Sequence, residues 1–121
     1  MADAIVTTTE ETQSWIKKVK FTITSATGGT ATATTSESYT GEVKRLVVVP
    51  GTTTSQPTNA FDIVVNDEDG YDILAGQGAD KSNAATTTIV ASMGCVANDR
   101  LSLSASNMGD VKQAIVIVYL K

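Results

Sequence analysis

Val111-Lys-Gln-Ala-Ile-Val-Ile-Val-Tyr-Leu-Lys121 is the stretch whose reading decides how this chain folds. From Ala114 to Leu120 every side chain is apolar, and β-branched residues dominate. Such side chains lose rotamer freedom in a helix and fit a pleated surface, so the run predicts a strand. A strand with one wet face alternates apolar and polar residues. Here Ile115, Ile117 and Tyr119 point one way and Ala114, Val116, Val118 and Leu120 the other, so both faces call for cover. The pattern alone does not say which face is which. The reading adopted places Ile115 and Ile117 in the domain's own core. It places Ala114, Val116, Val118 and Leu120 at a seam with another copy of the chain.

Upstream, other apolar runs are separated by turn residues. A first strand is expected from about Ser14 to Ser25, with Val19, Phe21 and Ile23 on one face and Lys18 and Lys20 on the other. Ala26-Thr-Gly-Gly29 supplies positive-φ positions for a hairpin, with Ala31 to Glu37 as its return strand. Glu42 to Val49 follows and stops at Pro50-Gly51. Ala60 to Val65 and Tyr71 to Leu74, joined by Asn66-Asp-Glu-Asp-Gly70, read as the clearest hairpin. Thr86 to Met93, Leu101 to Ala105 and the final run complete the set. The fold class predicted is all-β: a single-domain antiparallel β-sandwich, jelly-roll-like, of about eight strands. Residues 1–12 are polar and carry only Ile5 and Val6 as anchors, so they read as an extended arm preceding a 13–121 domain.

Composition agrees and narrows the chemistry. The chain has 121 residues, one domain's worth, and its core must be built from Val, Ile and Leu because only 5% are aromatic. A net charge of −4 disfavours generic nucleic-acid binding through phosphates. Lys17, Lys18 and Lys20 read as a solvated face, with a docking patch for an acidic partner as the alternative. No segment approaches the roughly 20 apolar residues of a membrane-spanning helix. No basic region followed by an apolar run opens the chain, so it is expected to be made in the cytoplasm.

The catalytic inventory is nearly empty. Without histidine, a Ser-His-Asp arrangement is impossible, and one cysteine supplies neither a disulfide nor a zinc site. Cys95 lies among apolar residues and is expected to be a buried thiol. Asn66 to Asp72 is the one acidic cluster. It fails as a calcium loop of the EF-hand kind because Val65 takes the first ligand position and Gly76 the closing glutamate's. It reads as a solvated turn, with an adventitious cation site at a subunit contact as the alternative. No catalytic, cofactor or metal residue is therefore assigned. Trp15, the sole tryptophan, is either a core or core-lid residue or an interface anchor.

Three segments carry a resemblance. Gly41-Glu-Val-Lys-Arg-Leu-Val-Val-Val-Pro-Gly51 comes first, then Pro57-Thr-Asn-Ala-Phe-Asp-Ile-Val-Val-Asn-Asp-Glu-Asp-Gly70, then Asp72-Ile-Leu-Ala-Gly-Gln-Gly-Ala79. With Asn98-Asp-Arg-Leu-Ser-Leu-Ser-Ala-Ser-Asn107 and the apolar final strand, the chain resembles small virion proteins of tailed bacteriophages. Within that group it is similar to capsid cement or decoration proteins, often β-sandwich trimers at local threefold positions of the shell. The resemblance implies a homo-oligomer, a trimer in that family, bound to a phage's major capsid protein at the virion surface. It implies no cofactor and no catalytic residue. A head–tail connector or tail component, or a small carbohydrate-binding β-sandwich module, are the alternatives.

Overall fold

The final run becomes a strand, and it occupies the middle of the larger of two sheets. The computed structural model describes residues 3–121. Its strands are β1 (Ile5–Gln13), β2 (Ile16–Thr24), β3 (Ala31–Thr34), β4 (Tyr39–Pro50), β5 (Asp62–Asn66), β6 (Thr87–Val90), β7 (Cys95–Asp99), β8 (Ser102–Ser106) and β9 (Gln113–Leu120). The large sheet runs β1-β2-β9-β4-β6, with β7 pairing the other end of β4, and the small sheet runs β3-β8-β5. All pairings are antiparallel. They nest: β2 pairs β9, β3 pairs β8, and β4 pairs β7. This is the double-sheet wrapping of a jelly roll, and the chain is an all-β sandwich as expected.

The core lies between the sheets and follows the period-2 pattern. Val19, Phe21 and Ile23 of β2, Leu46 and Val48 of β4, and Ile63 and Val65 of β5 all point inward and are buried. Leu103 and Ala105 of β8 lie beside β5 in the small sheet and join the same core. Two buried hydroxyls fasten the corners where the chain changes sheet. Ser25 Oγ donates to the Gly109 carbonyl and accepts from the Lys112 N–H, both at 2.8 Å. Thr35 Oγ1 donates to the Glu37 carbonyl at 2.8 Å and accepts from the Leu101 N–H at 3.0 Å. Each hydroxyl thus satisfies its hydrogen-bonding capacity inside the protein, where an unpaired one would cost stability.

Several sequence expectations need correction. Ala114, Val116, Val118 and Leu120 are not a subunit seam: they are buried in this domain's own core. Ile115, Ile117 and Tyr119, on the opposite face, are only half-buried. The expected arm is a strand from Ile5 onward, bonded to β2 in unbroken register, while Met1 and Ala2 of that arm lie outside the described residues. That pairing also explains why Gly28-Gly29 makes no β2–β3 hairpin. Both edges of β2 are already taken, by β1 and β9, so the chain crosses to the other sheet.

The expected 60–74 hairpin is half right. Its turn forms, but only an isolated Asn66↔Asp72 bridge follows. The Asp72 carboxylate accepts from the N–H groups of Val65, Leu74 and Gly76, bending the chain out of a regular ladder. Finally, Cys95 is exposed, because the alternation of β7 turns Val96 inward instead.

Candidate binding surface

The outer face of the large sheet is built from side chains that the core did not use. Register fixes its rows. One row runs Thr22, Ile115, Val49; the next Lys20, Ile117, Val47, Thr88; the third Lys18, Tyr119, Arg45, Val90. The middle of this face, over β9 and β4, is therefore aliphatic, with lysines along its β2 side. Val47 is only 8% exposed although it points outward, since its cross-strand neighbours Ile117 and Thr88 cover it. Val90, at the edge strand, is 77% exposed. The Arg45 guanidinium lies 5.0 Å from the centroid of the Tyr119 ring, so this aromatic face already carries a cation.

At one end of the sandwich this face deepens into two adjoining clefts. The first, of ≈ 190 Å³, is lined by Thr22, Thr24, Val49, Gln113 and Ile115 among others. The second, of ≈ 300 Å³, is lined by Thr52, Thr53, Gln56, Asn83 and Thr86. Val49, Pro50 and Gly51 belong to both, so they form one groove. The Gln56 Nε2 donates to the Asn83 carbonyl at 2.9 Å and the Asn83 Nδ2 to the Pro57 carbonyl at 3.0 Å, which fixes the far wall. Hydroxyls, amides and aliphatic carbons make up this groove, and no charged or aromatic residue lines it.

The opposite end carries the remaining candidates. Trp15 sits in the two-residue turn between β1 and β2 and is 64% exposed, so it is not a core lid. Tyr71 is 73% exposed in the turn after β5. Trp15 belongs to the β1–β2 turn of the large sheet, whereas Tyr71 follows β5 at the edge of the small sheet. In the same region Asp99 joins Asp67 and Asp69, their carboxylate oxygens all within 4.8 Å. Sequence reading missed Asp99 because it reaches the turn through the fold and not through spacing. Asp67 Oδ1 accepts from the Asp69 and Tyr71 N–H groups, and Asp99 Oδ2 from the Glu68 N–H, so these carboxylates already organise the turn. Among the described residues no helix is long and apolar enough to cross a membrane.

No protein-family model and no curated protein matches this sequence. Solved structures resemble it in fold. An arabinose-bound GH51 α-L-arabinofuranosidase superposes with a TM-score of 0.51 at 11% identity, over 99% of this chain but 22% of that one. A β-sandwich-superfamily carbohydrate-binding module of promiscuous specificity gives 0.46 at 16% identity, over 99% of this chain and 54% of that one. A low-affinity xylan-binding module from Roseburia intestinalis gives 0.45 at 13% identity, over 99% and 89%. At such identities the likeness is one of architecture alone: this chain is folded as a β-sandwich.

Proposed function

We propose that the chain is a non-catalytic binding module that works through the outer face of its large sheet. The observation that carries this is the aliphatic band Val47, Val49, Ile115 and Ile117 on a face that has no second layer over it among the described residues. Solvent-facing sheet faces ordinarily alternate to polar residues; an apolar band with a cationic margin is the make-up of a protein contact. The finer reading is a structural subunit of a bacteriophage virion that self-associates and stabilises the shell by docking on the major capsid protein. Its support is the sequence resemblance together with this face.

Purified virions test it. Gel densitometry should find the chain in copy number comparable to the shell subunit, and Ile117→Lys should release it from particles while folding is retained. A few copies per virion would turn the reading to a connector or tail component, and a chain retained despite Ile117→Lys would sink the role of the face.

A second reading has its own observation. The groove of Thr22, Thr24, Gln113, Gln56 and Asn83 offers hydroxyls and amides beside aliphatic carbons and no charge, which suits a neutral sugar chain. The architecture is also one in which solved neighbours bear carbohydrate-binding names. Against it stands the absence of any aromatic side chain in the groove for a sugar ring to lie on. A glycan-array signal abolished by Gln113→Ala would favour this reading, and a blank array would remove it.

A further inference from the structure

β1 is a long strand with one open edge. Its nine residues pair with β2 without a register shift, and no strand covers its other side among the described residues. Edge strands are normally blunted by shortness, proline, lysine or a bulge. The edge strands β3 and β6 are four residues each, and bridges at Phe61↔Lys81 and Asn66↔Asp72 flank β5. β1 reads Ile-Val-Thr-Thr-Thr-Glu-Glu-Thr-Gln, with no proline, lysine or bulge; its only charges are Glu10, drawn inward to the Tyr39 hydroxyl, and Glu11.

The turn fixes which groups are free. Gln13 and Ile16 close a two-residue loop in which Ser14 has φ 58°. The pair flanking such a loop is a hydrogen-bonded one, and bonded pairs alternate along the ladder. Odd-numbered residues of β1 thus bond β2, while Val6, Thr8, Glu10 and Thr12 turn their N–H and C=O groups to the open edge.

We infer that this edge pairs with the same edge of a second copy, antiparallel and two-fold symmetric about Thr9. In that register Thr8 faces Glu10 of the other copy and Val6 faces Thr12, the pairs that exchange main-chain bonds. On the outer face Thr7 meets Glu11, Ile5 meets Gln13, and Thr9 meets its own counterpart. No like charges oppose. Centring the axis on Glu10 instead sets two carboxylates against each other, and centring it on Thr8 sets Ile5 against Glu11. About eight main-chain hydrogen bonds form, and the two large sheets become one, with their aliphatic bands on the same side. The contact is independent of what that band binds.

Sedimentation velocity over a concentration series tests it. The unmodified chain should dimerise. Thr9→Lys and Thr9→Glu should each raise the dissociation constant by about fivefold, because each sets like charges opposite at the axis. Mixing the two in equal amounts should restore dimers, since Lys then faces Glu. Thr8→Pro removes one outward N–H while sparing the β2 ladder, and should abolish dimerisation with the unfolding midpoint nearly kept. A monomer at every concentration overturns the inference. So does a dimer indifferent to both Thr9 variants, which would place the contact elsewhere. Should Thr8→Pro fail to fold, the Thr9 pair still decides.

Discussion

Val118 and Ile117 are adjacent and of similar character, yet the fold gives them opposite tasks. Val118 is fully buried between the sheets, and Ile117 lies half-covered on the outer face. Val118→Lys would place an unpaired ammonium in the core, at a cost of about 3 kcal/mol or more, and urea denaturation should show an unfolded or molten chain. Ile117→Lys should cost about 1 kcal/mol in the same titration. The sequence made clear that β9 has two apolar faces, but not which is inward. That choice depends on where Phe21 and Leu46 lie, and these come from strands distant in sequence. Cys95 is a similar case: an apolar neighbourhood in sequence did not mean burial, because only the strand's alternation decides which way it points.

Among the elements, β1 is held by one side chain as well as by its ladder to β2. The Glu10 carboxylate accepts from the Tyr39 hydroxyl at 2.6 Å and from the Ser36 and Glu37 N–H groups at 3.1 and 3.2 Å, tying the edge strand to the 35–39 crossover. Partial burial alone would raise the Glu10 carboxyl, but these hydrogen bonds outweigh it and hold it below its ordinary value of 4.5. Burial, then the Glu10 hydrogen bond and charge, push the Tyr39 phenol above its ordinary 10.0. A depressed carboxyl stabilises the fold above its unfolded pKa and loses that contribution as pH falls through the folded value. A raised phenol stabilises below its unfolded pKa and loses it as pH rises. The tie is thus complete between the two ordinary values. Protection of the β1 amides against exchange, relative to the intrinsic rate at each pH, should be high at neutral pH and be lost on acidification below the ordinary carboxyl value of 4.5; Glu10→Gln should be poorly protected throughout. Sequence reading took residues 1–12 for an arm because the segment is polar and rich in Thr and Glu, with only Ile5 and Val6 as anchors. What makes Ile5–Gln13 a strand is the vacant edge of β2 and this distant carboxylate tie.

For the whole molecule, the two sheets are closed along one side by a seam at Gly94. Its N–H donates to the Ile73 carbonyl at 2.7 Å, and its own carbonyl accepts from the Val43 N–H at 2.9 Å. A Cβ at this position would sit 2.8 Å from the Ile73 Cα and carbonyl oxygen, main-chain atoms with no room to give. Gly94→Ala should cost about 1–3 kcal/mol, read as a lower urea midpoint with an unchanged slope.

The all-β class and most strand positions were legible in the sequence, since apolar alternation and turn residues mark them. Partner strands were not, because β2–β9 and β3–β8 join residues far apart in the chain. The candidate surface was legible only as a surplus of apolar residues in β9.

That nesting also sets an order of events. β9 lies between β2 and β4, yet it leaves the ribosome after the other eight strands. Until it emerges, β2 and β4 each lack the neighbour they share, so the larger sheet cannot close before then. Long-range pairings of this kind fold slowly and leave unsatisfied strand edges open to other chains in the meantime. The sandwich therefore closes only once β9 is available, and its yield in a cell depends on how quickly that strand finds the gap left for it.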